Sequence, residues 1–465
     1  MKKSKKKFAL LGIVWKANPK YVLLSLLGVL SNIPTRVLNV YTLSHMVIYA
    51  TEGAINKIFT LSCLYIIYML IITVVKHRFE EYKQVSEETI KEFIKSKIYQ
   101  KICATDVSAY DNSEFYEAKT KAIMMCDTVI LQSYNRTIKL LRSIVSVFTY
   151  IGILAALRPA IIAIVLSACC IAILINFKTA KYSKKKFDEL THPQRRLEYV
   201  NYCFGERQFA NDIKTENFSP FLIESFSHYF EERKIIIRKY VRKESNGNIV
   251  SDLMLVLSDC SSWVYLGYGI INNEIFAGEF ISVINSIWGL SQQLFNVFNI
   301  IPQLYADGLF AIILDEFFGY ETKIKDEGTD DLNSGINTLE LKNITFSYKD
   351  GISVLNRISL KAKKGERVAL VGQNGVGKST LMKLILRLYE PNEGDVLVNG
   401  ESYRIVTLKA LFREMAVAFQ EYNIYSCTIA ENILMRKVIN EKDEQVVYQA
   451  LEKVGLLKKV IELPL

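Results

Sequence analysis

Residues Val368–Met382 read VALVGQNGVGKSTLM. The short apolar run Val368 to Val371 predicts a buried strand. It leads into Gly372-Gln373-Asn374-Gly375-Val376-Gly377-Lys378-Ser379, and Thr380–Leu386 then carries apolar residues at helical spacing. Strand, G-x-x-x-x-G-K-[ST] and helix, in that order, make a phosphate-binding P-loop in its required context. The glycines let the backbone fold tightly, so that successive N–H groups point at one phosphate. The positive end of the following helix adds to the attraction. Lys378 is placed to reach the β- and γ-phosphates of a nucleotide, and Ser379 to offer its hydroxyl to Mg²⁺. A Gly-rich turn before an ordinary helix is the plainer alternative, and the flanking strand and helix weigh against it.

Working outward, a chain of 465 residues has room for two or three domains. Half of its residues are hydrophobic and 23% are charged, with a mean hydropathy of +0.15, so apolar and charged stretches are segregated. The net charge of +10 admits nucleic-acid binding or a membrane protein with basic cytoplasmic loops. The distribution of the charge favours the membrane, and no nucleic-acid partner is expected. The eight cysteines form no C-x-x-C pair and there are only four histidines, so neither a disulfide framework nor a zinc site is expected.

The basic start, Met1–Lys7, precedes the short apolar run Phe8–Trp15, which has no small-residue cleavage site and reads as an interfacial helix. Six apolar segments follow, roughly Tyr21–Ile48, Ile58–Val75, Leu140–Leu157, Pro159–Phe177, Ile249–Ile271 and Phe280–Ile301. Each is near the ~20 residues that cross a bilayer. Pro34 and Arg36 interrupt the first, which predicts a kink or a longer tilted helix. The connections 51–57, 158–159 and 272–279 are short and poor in Lys and Arg, whereas 76–139 and 178–248 are long and rich in them. By the positive-inside rule both long loops and both ends of the chain belong to the cytoplasm. Within the loops, Phe79–Ile102 and Leu197–Val241 keep helical periodicity and are expected to extend the spanning helices.

Polar residues at membrane depth are costly and often functional. Asn285, Gly289, Gln292, Asn296, Asn299 and Gln303 recur on one helical stripe, and Asp252 and Asp259 stand two turns apart. A wet translocation path and ordinary helix–helix hydrogen bonding are the two readings. After Gly319 the composition turns polar. The expected domains are a membrane domain over 1–319, a linker over 320–337, and a nucleotide-binding region over 338–465, with strands around Leu339–Phe346 and Val354–Leu360. A further buried-strand pattern, Met415–Phe419, ends in the amide of Gln420.

The order FSY, GQNGVGKST, AFQEYNIYSCTIAENI resembles the nucleotide-binding domain of ATP-binding cassette (ABC) transporters. With six preceding spans and two long cytoplasmic excursions, nearly the whole chain is similar to an exporter-type half-transporter. The fold class expected is therefore an α-helical six-span membrane domain of ABC exporter type, followed by an incomplete α/β P-loop nucleotide-binding domain. The resemblance implies that Tyr348 stacks on adenine, that Gly372, Gln373, Asn374, Gly375, Val376, Gly377, Lys378, Ser379 and Thr380 form the Walker A loop, and that Gln420 is the Q-loop glutamine. It implies ATP and Mg²⁺ as ligands, with Ser379 and Gln420 at the metal. It also implies a homo- or heterodimer with another half-transporter, contact with membrane lipid, and a multi-pass place in the cell membrane that leaves both termini cytoplasmic. The stretches 109–118 and 209–218 resemble the family's coupling helices, although Asp212-Ile213-Lys214 departs from the usual Glu-x-Arg.

Another departure lies after Gln420. No LSGGQ-like signature, no apolar strand ending in Asp-Glu and no histidine occurs there. A chain truncated inside its ATPase domain is expected to bind nucleotide without hydrolysing it. The alternatives are an exporter subunit, which couples ATP to the export of an unidentified substrate, and a non-hydrolysing membrane subunit or remnant that assembles with an intact partner. A cysteine placed at Gly53 or Asn273 is expected to react with a membrane-impermeant thiol reagent from outside the cell. Reaction only from the cytoplasmic side would overturn the six-span topology.

Overall fold

The computed structural model describes residues 7–348, 353–419 and 422–463. The chain divides into two compact units, residues 1–322 and 323–465. The first is helical: α1 (Lys7–Ala17), α2 (Pro19–Leu30), α3 (Asn32–Thr51), α4 (Ile55–Cys103), α5 (Ser113–Met125), α6 (Val129–Leu157), α7 (Pro159–Gly205), α8 (Arg207–Thr215), α9 (Ser219–Ile271) and α10 (Ala277–Phe318). The second carries β1 (Thr338–Ser347), β2 (Ser353–Lys363), α11 (Lys378–Ile385), β3 (Glu393–Val398), β4 (Glu401–Ser402), α12 (Leu408–Glu414), α13 (Ile429–Leu434), α14 (Glu441–Lys453) and α15 (Leu457–Ile461).

The first apolar segment is divided at Ser31 into α2 and α3. The physical reason is Pro34: it has no N–H to give, and its ring crowds the carbonyl four residues back, at Leu30. The next apolar helix, α4, runs unbroken for 49 residues. Between α6 and α7 only Arg158 leaves the helical region (φ −146°, ψ 82°), with Pro159 opening α7 where a missing N–H costs nothing. Arg158 Nε donates to Glu279 Oε1 at 2.7 Å, and its guanidinium also reaches the Glu274 carbonyl at 2.5 Å, tying two short turns together. Five helical stretches among the described residues are long and apolar enough to cross a membrane: Pro19–Thr51 (α2 and α3 together), Ile55–Cys103, Val129–Leu157, Ser219–Ile271 and Ala277–Phe318. The fourth expected segment lies on α7, whose described apolar stretch, Pro159–Ile175, is shorter.

The helical periodicity over Leu197–Val241 is carried by three helices, and α8 overlaps the stretch 209–218. The chain leaves the helix at Glu206, forms the nine-residue α8, and re-enters a helix at Ser219. Pro220 fixes that restart because it suits a first helical turn and no later one. Two apolar clusters hold the unit. One joins Ile90, Ile94 and Ile98 of α4, one stripe at i, i+4, i+8, to Tyr21, Phe115, Tyr134, Ile138 and Phe317. The other joins Val40, Tyr150, Leu154, Ile161, Val165, Leu266, Ile287 and Leu290.

In the second unit the strands form one antiparallel sheet in the order β2-β1-β3-β4. Strand β1 would misplace its apolar residues under strict alternation, because Leu341 and Ile344 are three apart. A break in register between them, with Asn343 at φ +49°, returns Leu341, Ile344 and Phe346 to one face. On that face Leu381, Leu384 and Ile385 of α11 pack with Val396, Val398, Tyr403 and Leu411. Leu332, from the segment before β1, is buried in the same core. Arg387 is 3% exposed and donates to the carbonyls of Tyr403, Val406 and Lys325 at 3.1–3.2 Å and from Nε to Glu390 at 3.4 Å, so four of the five N–H groups of this buried guanidinium are bonded. Further along, Asp443 accepts from Arg436 and from the Ile439 N–H, and the Arg436 bond holds its carboxyl far below the ordinary carboxylate range.

Two strand expectations are corrected. Val368–Val371 and Met415–Phe419 form no strand and join no sheet among the described residues, and Val371 is 93% exposed. A strand of this apolar kind is stabilised by hydrogen-bonded neighbours on its edges. The described sheet offers neither run such a neighbour. Leu384→Ala, at a fully buried contact between α11 and the sheet, is expected to destabilise the second unit by about 2–5 kcal/mol. Limited proteolysis of the full chain reads this as faster cleavage within residues 323–465 and unchanged cleavage of the first unit.

Candidate nucleotide site

Gly375 and Gly377 take φ of +82° and +99°, a region that residues with a Cβ occupy at a cost. Gly377 is the residue on which the loop becomes α11. A Cβ there would fall 2.8 Å from Leu355 Cδ2 and 3.2 Å from the Val354 carbonyl oxygen, so the junction sits hard against β2. The first N–H groups of α11, those of Lys378, Ser379 and Thr380, have no carbonyl of the preceding turn to bond. They form a cluster of donors at the positive end of the helix. Lys378 Nζ lies 2.6 Å from the Gly372 carbonyl and 2.7 Å from that of Gln373, so the ammonium bridges back across the loop it follows. Gly372, Gln373, Asn374, Gly375 and Val376 are exposed around it, as is Ser379, while Thr380 is buried.

Tyr348 closes this region from the end of β1. Its hydroxyl is 3.2 Å from Thr380 Oγ1, which links the strand end to the first turn of α11. The ring meets Phe346 and Tyr389 edge-on at 5.0 and 5.5 Å between centroids. Lys383 Nζ lies 6.0 Å from the Tyr348 centroid and 5.5 Å from that of Tyr389. The fold therefore brings Tyr348 together with Lys378, Ser379 and Thr380 across 30 residues of sequence. Lys383 and Tyr389 were not singled out from the sequence. Their only signal there is that Lys383 lies one helical turn beyond Ser379 and Thr380. Gln420 lies outside the described residues, and no contact of its side chain is drawn.

The chemistry of this donor set is anion binding. Convergent N–H groups, one ammonium and an exposed hydroxyl suit a chain of phosphate oxygens, and a half-buried aromatic ring stands beside them. The donor set fits a Mg-nucleotide: Ser379 offers the one hydroxyl oxygen free to meet a hard cation, and the glycines leave room where side chains would intrude. Gly377→Ala is expected to destabilise the loop by about 1 kcal/mol or more through positive φ and the Leu355 contact. Hydrogen exchange should quicken first in the amides of α11, and protection equal to the parent would refute the constraint.

The chain is similar to known transport proteins. The ABC transporter family profile matches residues 355–463. A subtilin transport ATP-binding protein of Bacillus subtilis is 25% identical over 347 residues, covering 72% of this chain and 55% of that protein. A nisin transport ATP-binding protein of Lactococcus lactis is 23% identical over 369 residues, covering 78% and 61%. An ATP-dependent lipid A-core flippase of Salmonella typhimurium is 32% identical over 182 residues, covering 38% and 30%. The chain thus spans little more than half the length of the first two relatives. Its fold is similar to that of a bacterial Atm1-family ABC exporter solved with ATP bound, with a TM-score of 0.79 over 96% of this chain and 79% of that one at 15% identity. Residues 355–463 thus match the ABC transporter family, and the chain as a whole is similar in fold to an ABC exporter, a helical unit followed by an ATP-binding cassette region.

Proposed function

We propose that this chain is the ATP-binding subunit of an exporter, in which nucleotide held on α11 drives movement of a substrate through the membrane unit. The observation that carries the reading is the bridge of Lys378 over the Gly372 and Gln373 carbonyls at the head of α11. In that place the ammonium can exchange two carbonyl partners for β- and γ-phosphate oxygens with little movement. The N–H groups of the loop and of the first helical turn would hold the β-phosphate. Ser379 would hold Mg²⁺, which neutralises phosphate charge when bound. Tyr348, fixed through Thr380, would set the adenine by stacking. Gln420 belongs to this reading by position in the sequence alone.

The site within these residues is a binding site, and no general base is assigned in it. Binding free energy is then what the chain would contribute to transport. The proposed setting is the cell membrane, with both ends of the chain and the long helical extensions in the cytoplasm. A second half-transporter, identical or different, would complete the assembly. The non-hydrolysing subunit reading uses the same phosphate contacts and differs only in where hydrolysis occurs.

Lys378→Ala is expected to weaken ATP binding roughly ten- to a hundredfold, from the loss of a charge-assisted contact of about 1.5–3 kcal/mol. Titration of the purified full chain with a fluorescent ATP analogue and Mg²⁺ measures it. Equal affinity in parent and variant would overturn the assignment.

A further inference from the structure

Lys383 follows Thr380 by three residues on α11, so the two side chains share one helical face. Both reach Tyr348. The Thr380 hydroxyl meets the Tyr348 hydroxyl at 3.2 Å, and the Lys383 ammonium lies over the Tyr348 ring, 6.0 Å from its centroid. The same ammonium is 5.5 Å from the Tyr389 centroid. Lys383 is half-buried and makes no ion pair or hydrogen bond among the described residues, so there the two rings are what answer its charge. Phe346, Tyr348 and Tyr389 stand nearly perpendicular to one another, at interplanar angles of 83°, 79° and 82°, and each ring hinders the turning of the next. Tyr348 lies one residue past the end of β1, so these side-chain contacts, rather than the sheet ladder, fix its ring. The ring is half-buried, which leaves part of it open to a ligand.

We propose that Lys383 is a positioning residue for the base of the bound nucleotide, acting through Tyr348. The proposal rests on the reading of α11 as a nucleotide site and adds what sets the base rather than the phosphates. A cation over one face of a ring draws π density toward itself. The other face then repels a second π system less, so a base stacked on Tyr348 is held more firmly. The two lysines of α11 thus divide the work. Lys378 stands at the Gly372 and Gln373 carbonyls, where phosphate would come, and Lys383 stands on the aromatic side. Lys383 is what lets the site tell a nucleotide from a bare polyphosphate.

ATP and inorganic tripolyphosphate, each with Mg²⁺, are titrated by calorimetry into the full chain and into its Lys383→Met and Lys383→Arg variants. Methionine keeps an unbranched side chain and removes the ammonium. Lys383→Met should weaken ATP binding about three- to tenfold, the worth of one cation–π contact, and leave tripolyphosphate binding unchanged. Lys383→Arg should keep the parental affinity for ATP, because a guanidinium also stacks on aromatic faces. An equal loss for both ligands in Lys383→Met would overturn the proposal, since Lys383 would then be serving the phosphates. Parental ATP affinity in Lys383→Met would overturn it as well. Failure of the nucleotide reading itself has a different sign: the parent chain would bind neither ligand, which overturns both.

Discussion

Everything at the candidate site depends on the seating of one backbone turn. Gly377 turns the chain at φ +99° where a Cβ would fall 2.8 Å from Leu355 of β2, and α11 begins at the next residue. That turn aims three unbonded N–H groups in one direction, while Leu381, Leu384 and Ile385 anchor the other face of the helix on the sheet. Polar display and apolar anchorage come from opposite faces of the same eight residues. A helix this short is not stable by itself, so the burial of its apolar face is what makes the donor cluster a fixed feature.

The membrane unit solves a different problem, which is to keep polar groups satisfied on very long apolar helices. Serines do much of this locally: Ser25, Ser262 and Ser286 each return a hydroxyl to the carbonyl four residues back. Between helices the bonds are few and specific. Arg36 of α3 donates to the Tyr150 hydroxyl of α6 at 3.2 Å, and Ser291 of α10 donates to Asp259 of α9 at 3.3 Å. Nearer the helix ends Arg136 and Asp307 join α6 to α10. The polar stripe of α10 is divided by this packing. Gln292, Asn299 and Gln303 are exposed, Asn285 and Asn296 are half-buried, and Gly289 lies against the Tyr150 ring.

Much of this was legible from residue pattern. The P-loop helix, strands β1 and β2, and the turns at Ser31 and Arg158 follow from local chemistry: glycine, proline and apolar periodicity act within a few residues of themselves. What the sequence hides is long-range. Nothing near Tyr348 announces that its hydroxyl meets Thr380, since that pairing is made by the sheet carrying β1 alongside α11. Composition likewise cannot show whether an apolar run such as Val368–Val371 finds a strand to pair with. In the described structure it finds none, and its side chains stay exposed.

That last point bears on how the loop is held. In a P-loop flanked by a laddered strand, both ends are fixed. Here the upstream end, Val368–Val371, has no ladder bonds, and the order of the loop comes from its downstream end. Three contacts do this: the Leu355 wall behind Gly377, the apolar face of α11, and the Tyr348–Thr380 bond. Lys378, by bonding the Gly372 and Gln373 carbonyls, ties the free end to the fixed one. The same ammonium therefore has two competing tasks, closing the loop and meeting phosphate. When it turns to phosphate, the bound oxygens must take over the closing of the loop through the N–H groups they accept from. Ligand and loop would in that case order each other, and part of the binding free energy would go into fixing Gly372 to Val376.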